Sequence, residues 1–129
     1  MRSRRATWLR WVLVFAAAGA IFYASGRPVP AGLVPPLPQS DKLAHAAVYA
    51  VLAALLFRAL WADETRPVAK GALLLAVVLA SAYGAADELH QNFVPSRSCD
   101  VFDWLADTGG AAAAALVWPW LTRRFPRLK

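Results

Sequence analysis

Residues 43–60 read LAHAAVYAVLAALLFRAL, and their interior, Ala50-Val51-Leu52-Ala53-Ala54-Leu55-Leu56-Phe57, decides the fold class. This is a continuous Ala- and Leu-rich run with no alternation of polar and apolar residues. A β-barrel strand is excluded by that pattern and a helix is the consistent conformation. Three runs of the same kind accompany it, Trp8 to Ser25, Gly71 to Ala86 and Leu105 to Leu121. Each is about 16–18 residues, close to the roughly 17–25 that cross a hydrocarbon core. The sequence therefore predicts an all-α fold, a four-transmembrane-helix bundle with both termini cytoplasmic, as one domain over residues 1–129.

The composition agrees. Of the 129 residues 59% are hydrophobic and 17% charged, where soluble domains average about 45–50% and 25%. So small a water-soluble domain cannot hide that much apolar side chain, and a disordered chain would not carry it. The net charge of +6 sits outside the apolar runs. Arg2, Arg4, Arg5 and Arg10 precede or enter the first helix, Arg58, Arg66 and Lys70 bracket the second connection, and Arg123, Arg124, Arg127 and Lys129 close the chain. Arg27, Lys42 and Arg97 share the opposite side with Asp41, Asp87, Glu88, Asp100, Asp103 and Asp107. The positive-inside rule then puts the cation-rich side in the cytoplasm of a bacterial inner membrane. The basic excess is thus an orientation signal, and no nucleic-acid partner is expected from it. The first run reads as an uncleaved anchor, since no small-x-small site stands out near Phe22-Tyr23-Ala24-Ser25. The proline-rich connection Gly26 to Ser40 is expected to run extended on the outer surface before Ser40 or Asp41 caps the second helix.

Polar residues gather at the outer ends of the predicted helices. Asp41 with Lys42, then His45 and Tyr49, form one stripe at helical spacing. Tyr83, Asp87 and Gln91 form another, with Glu88 beside it, and Asp100, Asp103 and Asp107 a third. Ionisable groups at membrane depth are costly, so they should face the bundle interior or a wet cavity and pair with one another.

These residues carry a family resemblance. Asp41-Lys42-x-x-His45-x-x-x-Tyr49, followed by Asp87-Glu88-x-x-Gln91-x-Phe93-x-Pro95-x-Arg97-x-x-Asp100-x-x-Asp103-x-x-x-Asp107-x-x-Gly110, resembles the VanZ-like family, named for a protein that contributes to teicoplanin resistance. The resemblance covers residues 41–110 and implies an envelope membrane protein. Two positions depart from the pattern. Ser96 stands where the family usually has glycine, which permits backbone angles that serine resists, and Asp107 stands where asparagine is common.

Two functions stay open at this level. One is an interaction factor without turnover, embedded in the bilayer, that binds or shields an envelope lipid or cell-wall precursor and so influences glycopeptide susceptibility. The other is a small membrane enzyme acting on a lipid or polyprenyl-phosphate headgroup, with Asp87, Glu88, Asp103 and His45 as acid–base candidates. Lys42, Arg97, Asp41, Tyr49, Gln91, Asp100 and Asp107 are the binding candidates, Arg97 by two-pronged contact with phosphate or carboxylate. The structural alternative is a hydrogen-bond network clamped by Lys42 and Arg97, with Arg97 paired to Asp100 or Asp103. A proton-coupled transporter fits poorly with so few helices. A metal held by His45, His90 and the acids would favour magnesium, calcium or manganese. Without His-Glu-x-x-His spacing no metal or other cofactor is expected. His90 reads as a loop residue, and Cys99 as a bystander. Trp8, Trp11, Trp61, Trp104, Trp118, Trp120 and Phe93 read as interface anchors.

Overall fold

The computed structural model describes residues 4–28, 39–61 and 69–126, with side chains from residue 7 onward. They form four helices: α1 (Arg4–Ser25), α2 (Ser40–Leu60), α3 (Lys70–Gln91) and α4 (Val101–Arg124). Most of the proline-rich connection, residues 29–38, and the cations Arg2, Arg66, Arg127 and Lys129 lie outside the described residues.

Long-range contacts fix an up-down-up-down order. The end of α1 meets the end of α3 through Ser25 and Asp87. The start of α2 meets the start of α4 through Lys42 and Asp103. At the opposite end, the Arg10 guanidinium of α1 donates to the Arg58 and Trp61 carbonyls that close α2, at 3.1 and 3.3 Å. That bond satisfies carbonyls that the end of a helix leaves without intrahelical partners. All six acids of the polar stripes consequently share one end of the bundle, while Arg10, Arg58, Lys70, Arg123 and Arg124 belong to helix segments at the other.

The core mixes large apolar side chains, among them Tyr49, Leu52, Leu56, Phe57, Trp61 and Trp118, with small and polar ones. Its buried residues include Ala53, Ala59, Ala76, Ala80 and Ala111 together with the polar Asp87, Glu88, Gln91, Asp107 and Thr122. Large apolar side chains point outward on every helix, among them Phe15 and Phe22, Val48 and Val51, Leu74 and Val78, Leu105 and Leu116. In water that arrangement would leave an apolar surface far larger than soluble proteins carry. In lipid it costs nothing, and small residues at the contacts let helices approach and gain dispersion energy. α1, α2 and α3 are each long and apolar enough to span a membrane. α4 is as long, but Asp103, Asp107, Gly109, Gly110 and Pro119 dilute its apolar run.

Local chemistry explains most helix ends. Asp100 caps α4 by accepting from the Phe102 amide at 2.8 Å, the bond that makes aspartate a favoured N-cap residue. α2 departs from expectation. Its N-cap position is Gln39, in the left-handed region at φ 61° and without a side-chain cap bond, while Ser40 is already helical. Asp41 is also already inside the helix, in its first turn, where its carboxylate lies 3.0 Å from the Lys42 ammonium. Two of the expected interface anchors are core residues instead. Trp61 and Trp118 are buried against Phe57, with ring centroids 5.4 and 5.3 Å away. Trp8, Trp120 and Phe93 are exposed.

Candidate functional site

The polar end is organised in two tiers. The outer tier centres on Lys42, whose Nζ lies 2.8 Å from Asp100 Oδ2 and 3.0 Å from Asp41 Oδ2 and also bonds Asp103 Oδ1. Lys42 and Asp41 sit in the first turn of α2, while Asp100 and Asp103 sit at the cap and first turn of α4, so this cluster pins one helix start to the other. The ammonium beside Asp100 holds that carboxyl below the usual carboxylate range. Three carboxylates thus share one lysine.

The inner tier is buried. His45 Nδ1 lies 2.8 Å from Asp107 Oδ1; with Asp107 ionised, Nδ1–H is the donor. The other ring nitrogen, Nε2, is 3.8 Å from Asp103 Oδ2. Glu88 accepts from the Asp100 backbone amide at 2.9 Å and from the Gln91 amide at 3.2 Å. Asp87 accepts from Ser25 of α1 and, at 3.4 Å, from Gln91. Asp87, Glu88 and Gln91 are at most 5% exposed and Asp107 is fully buried. Tyr49, one turn below His45, is buried as well, and neither its hydroxyl nor Asp107 Oδ2 has a hydrogen-bond partner.

Close helix approach makes this tier possible. A Cβ at Gly84 would meet Asp107 Oδ2 at 2.9 Å and Tyr49 Cε1 at 3.3 Å, and one at Gly110 would meet the Ala46 carbonyl carbon at 2.6 Å. Ala46 follows His45, and Gly110 lies one turn beyond Asp107. The glycine contact that draws α2 onto α4 therefore also sets the His45–Asp107 distance. Lower in the bundle, the Ser81 and Thr108 hydroxyls bond at 2.8 Å, and the Trp104 indole donates to the Ser81 carbonyl at 3.1 Å.

The structure brings Asp41, Lys42, His45, Glu88, Gln91, Asp100, Asp103 and Asp107 into one bonded cluster, with Tyr49 against its base and Asp87 at its α1 edge. Three expectations fail. Arg97 makes no ion pair with Asp100, Asp103 or any other described acid, and its Nε is buried without a partner; the clamp is Lys42 alone, which already saturates those two aspartates. His90 is helical, not a loop residue, because α3 continues to Gln91; its ring stacks on Phe22 of α1 at 4.3 Å. Tyr83 leaves the cluster to donate to the Ala18 carbonyl of α1 at 2.6 Å. Sequence reasoning missed Ser25 and Gly84. Gly84 had a signal, since Ala76, Ala80 and Gly84 place small residues at spacing four on the stripe that leads to Glu88. Ser25 had none, because a terminal serine is compatible with many roles.

The loop from α3 to α4 holds a strained residue. Val94-Pro95-Ser96-Arg97 closes through the Arg97 amide to the Val94 carbonyl at 3.1 Å, with Ser96 at φ 65°. Proline second and a positive φ third is the order of a type II turn, which asks for glycine at the third position. Ser96→Gly is accordingly expected to stabilise the protein by about 0.5–1 kcal/mol, after the added freedom of the unfolded chain is subtracted. A higher midpoint of thermal denaturation in detergent checks this; an unchanged or lower one contradicts it.

Comparison with known proteins gives one finding. The model of the VanZ/LLP1 family matches residues 3–122, nearly the whole chain. No curated protein and no solved structure matches.

Proposed function

Because this chain belongs to the VanZ/LLP1 family, we propose that it is a four-span protein of the bacterial cytoplasmic membrane, with both termini inside, that binds an anionic envelope component at its outer end. The component is a lipid headgroup or cell-wall precursor, and holding or shielding it reduces the action of glycopeptides such as teicoplanin. The cation-rich helix ends favour this orientation through the positive-inside rule, and α4 runs as the fourth span by its length and its packing on α2 and α3.

Arg97 is the observation that carries the binding assignment. A guanidinium with a buried, unpartnered Nε stands on the connecting loop at the polar end, while the neighbouring carboxylates are committed to Lys42. Its planar fork matches phosphate or carboxylate, and an anion from outside would be the acidic partner that the described residues do not supply. The enzyme alternative is favoured by a different feature, the imidazole of His45 oriented by a buried aspartate as a general base would be.

The test uses a teicoplanin-susceptible bacterium expressing the chain, with membrane levels followed by immunoblot. Arg97→Gln is expected to accumulate normally and to lose about tenfold in protection, the ~1.4 kcal/mol at the lower edge of what a charged hydrogen bond contributes. Full protection by Arg97→Gln at wild-type level overturns the assignment. A phosphatase reporter fused after Arg97 should be active on the outer side, and a cytoplasmic signal overturns the orientation.

A further inference from the structure

We propose that His45, Glu88 and Asp107 form a binding site for one divalent transition-metal cation of the manganese or zinc type. One ligand atom from each of the three residues lies within 4.8 Å of the other two. Two donors about 2.1 Å from an ion are at most about 4.2 Å apart, so a rotamer-scale closure seats one. The 2.8 Å between His45 Nδ1 and Asp107 Oδ1 is a hydrogen-bond distance, and a cation seated there would displace the Nδ1 proton to solvent, leaving a neutral ring protonated at Nε2. The three residues come from three helices, α2, α3 and α4, and a bound cation would tie them together.

Two further observations point to a cation. The first is Asp107 Oδ2, fully buried and without any hydrogen-bond partner, which a buried carboxylate oxygen does not tolerate cheaply. The second is charge. Asp87, Glu88 and Asp107 are three buried carboxylates, and the nearest lysine, Lys42, is already shared by Asp41, Asp100 and Asp103. His45 is the one cationic group that pairs with this tier among the described residues. Even with His45 protonated the tier lacks two positive charges, and buried charge must be balanced or neutralised. A divalent cation held by neutral His45 cuts the charge of the three carboxylates from −3 to −1, with Asp87 still held by Ser25 and Gln91; protonated carboxyls are the competing solution. The donor set chooses the metal: His90 is stacked on Phe22, and one imidazole beside two carboxylates suits manganese or zinc better than the magnesium or calcium that the acids alone suggest in the sequence. The Gln91 amide and the Asp100 backbone amide, which already hold the two Glu88 oxygens, are the outer partners that orient such a ligand.

The experiment uses the full chain in detergent, stripped with chelator and titrated with Mn2+ or Zn2+ alone. One equivalent of Mn2+ is expected to bind, with nitrogen modulation in the pulsed electron paramagnetic resonance spectrum that changes when histidine is labelled with 15N. Glu88→Gln and Asp107→Asn, each nearly isosteric, are expected to weaken binding about 100-fold; Cys99→Ser, at an exposed thiol outside the cluster, should leave it unchanged. No stoichiometric binding to the wild-type chain at millimolar metal overturns the site and leaves protons as the balancing charge. Binding without histidine nitrogen, or with unchanged affinity in both folded variants, overturns it equally. The wild-type spectrum decides alone if a variant does not fold, and no outcome depends on glycopeptide protection.

Discussion

Gly110→Ala is expected to destabilise the bundle by about 3 kcal/mol or more, the upper end of what overpacking costs, and to cut its accumulation in the membrane sharply. The added methyl would lie 2.6 Å from the Ala46 carbonyl carbon and closer still to its oxygen. Backbone atoms of a helix cannot rotate aside as a side chain does, so α2 and α4 must separate by about 1 Å to restore ordinary contact. That separation acts on the most extensive contact in the fold and stretches the His45–Asp107 and Lys42–Asp103 pairs that flank it. Gly109→Ala is the internal control. Nothing lies within 4 Å of a Cβ there, and alanine exceeds glycine in helix propensity by about 1 kcal/mol, so this neighbour should be neutral or stabilising. Denaturation midpoints of the two variants in one detergent make the comparison. Equal behaviour would mean that α2 and α4 do not approach through Gly110.

The second large effect is expected at His45. His45→Ala removes the partner of a fully buried carboxylate and should cost about 3–5 kcal/mol, the cost of leaving one member of a buried pair uncompensated. Asp107→Ala takes away the charge itself. The double variant His45→Ala/Asp107→Ala should therefore be less destabilised than the two single changes added together, by about 1–3 kcal/mol of coupling. Measured in chelator, this cycle isolates the His45–Asp107 interaction from any bound metal. Strict additivity would show that the two side chains, 2.8 Å apart, do not act as a pair, and would remove the basis for an oriented imidazole.

Both effects arise at positions whose residue type was visible in the sequence but whose consequence was not. Gly110 ends the motif that begins at Asp41, yet only the fold shows that it faces Ala46 while Gly109 faces open space. Asp103 and Asp107 lie on one helical stripe, yet Asp103 belongs to the Lys42 cluster and Asp107 to the buried tier with His45. Lys42 and Arg97 looked alike as clamps for the acids. The structure separates them, because α2 delivers Lys42 into the space between Asp100 and Asp103, and the type II-like turn carries Arg97 away from both. Ser96 is the reverse case: its mismatch with a glycine position was legible, and the positive φ is what that mismatch entails.

The sequence by itself determined that the chain is helical, that its helices suit a membrane, that its charges segregate by helix end, and which residues are polar where lipid forbids it. Each of these follows from local pattern: run length, spacing of 3.6 residues per turn, and the cost of burying charge. Tertiary structure alone decided the partners. Which carboxylate meets Lys42, which meets His45, and that Arg97 meets none of the described acids depend on distances between elements far apart in the chain, some 60 positions for the Lys42 and His45 pairs. Those distances are set by how closely glycine and alanine let the helices pack, which no local pattern encodes.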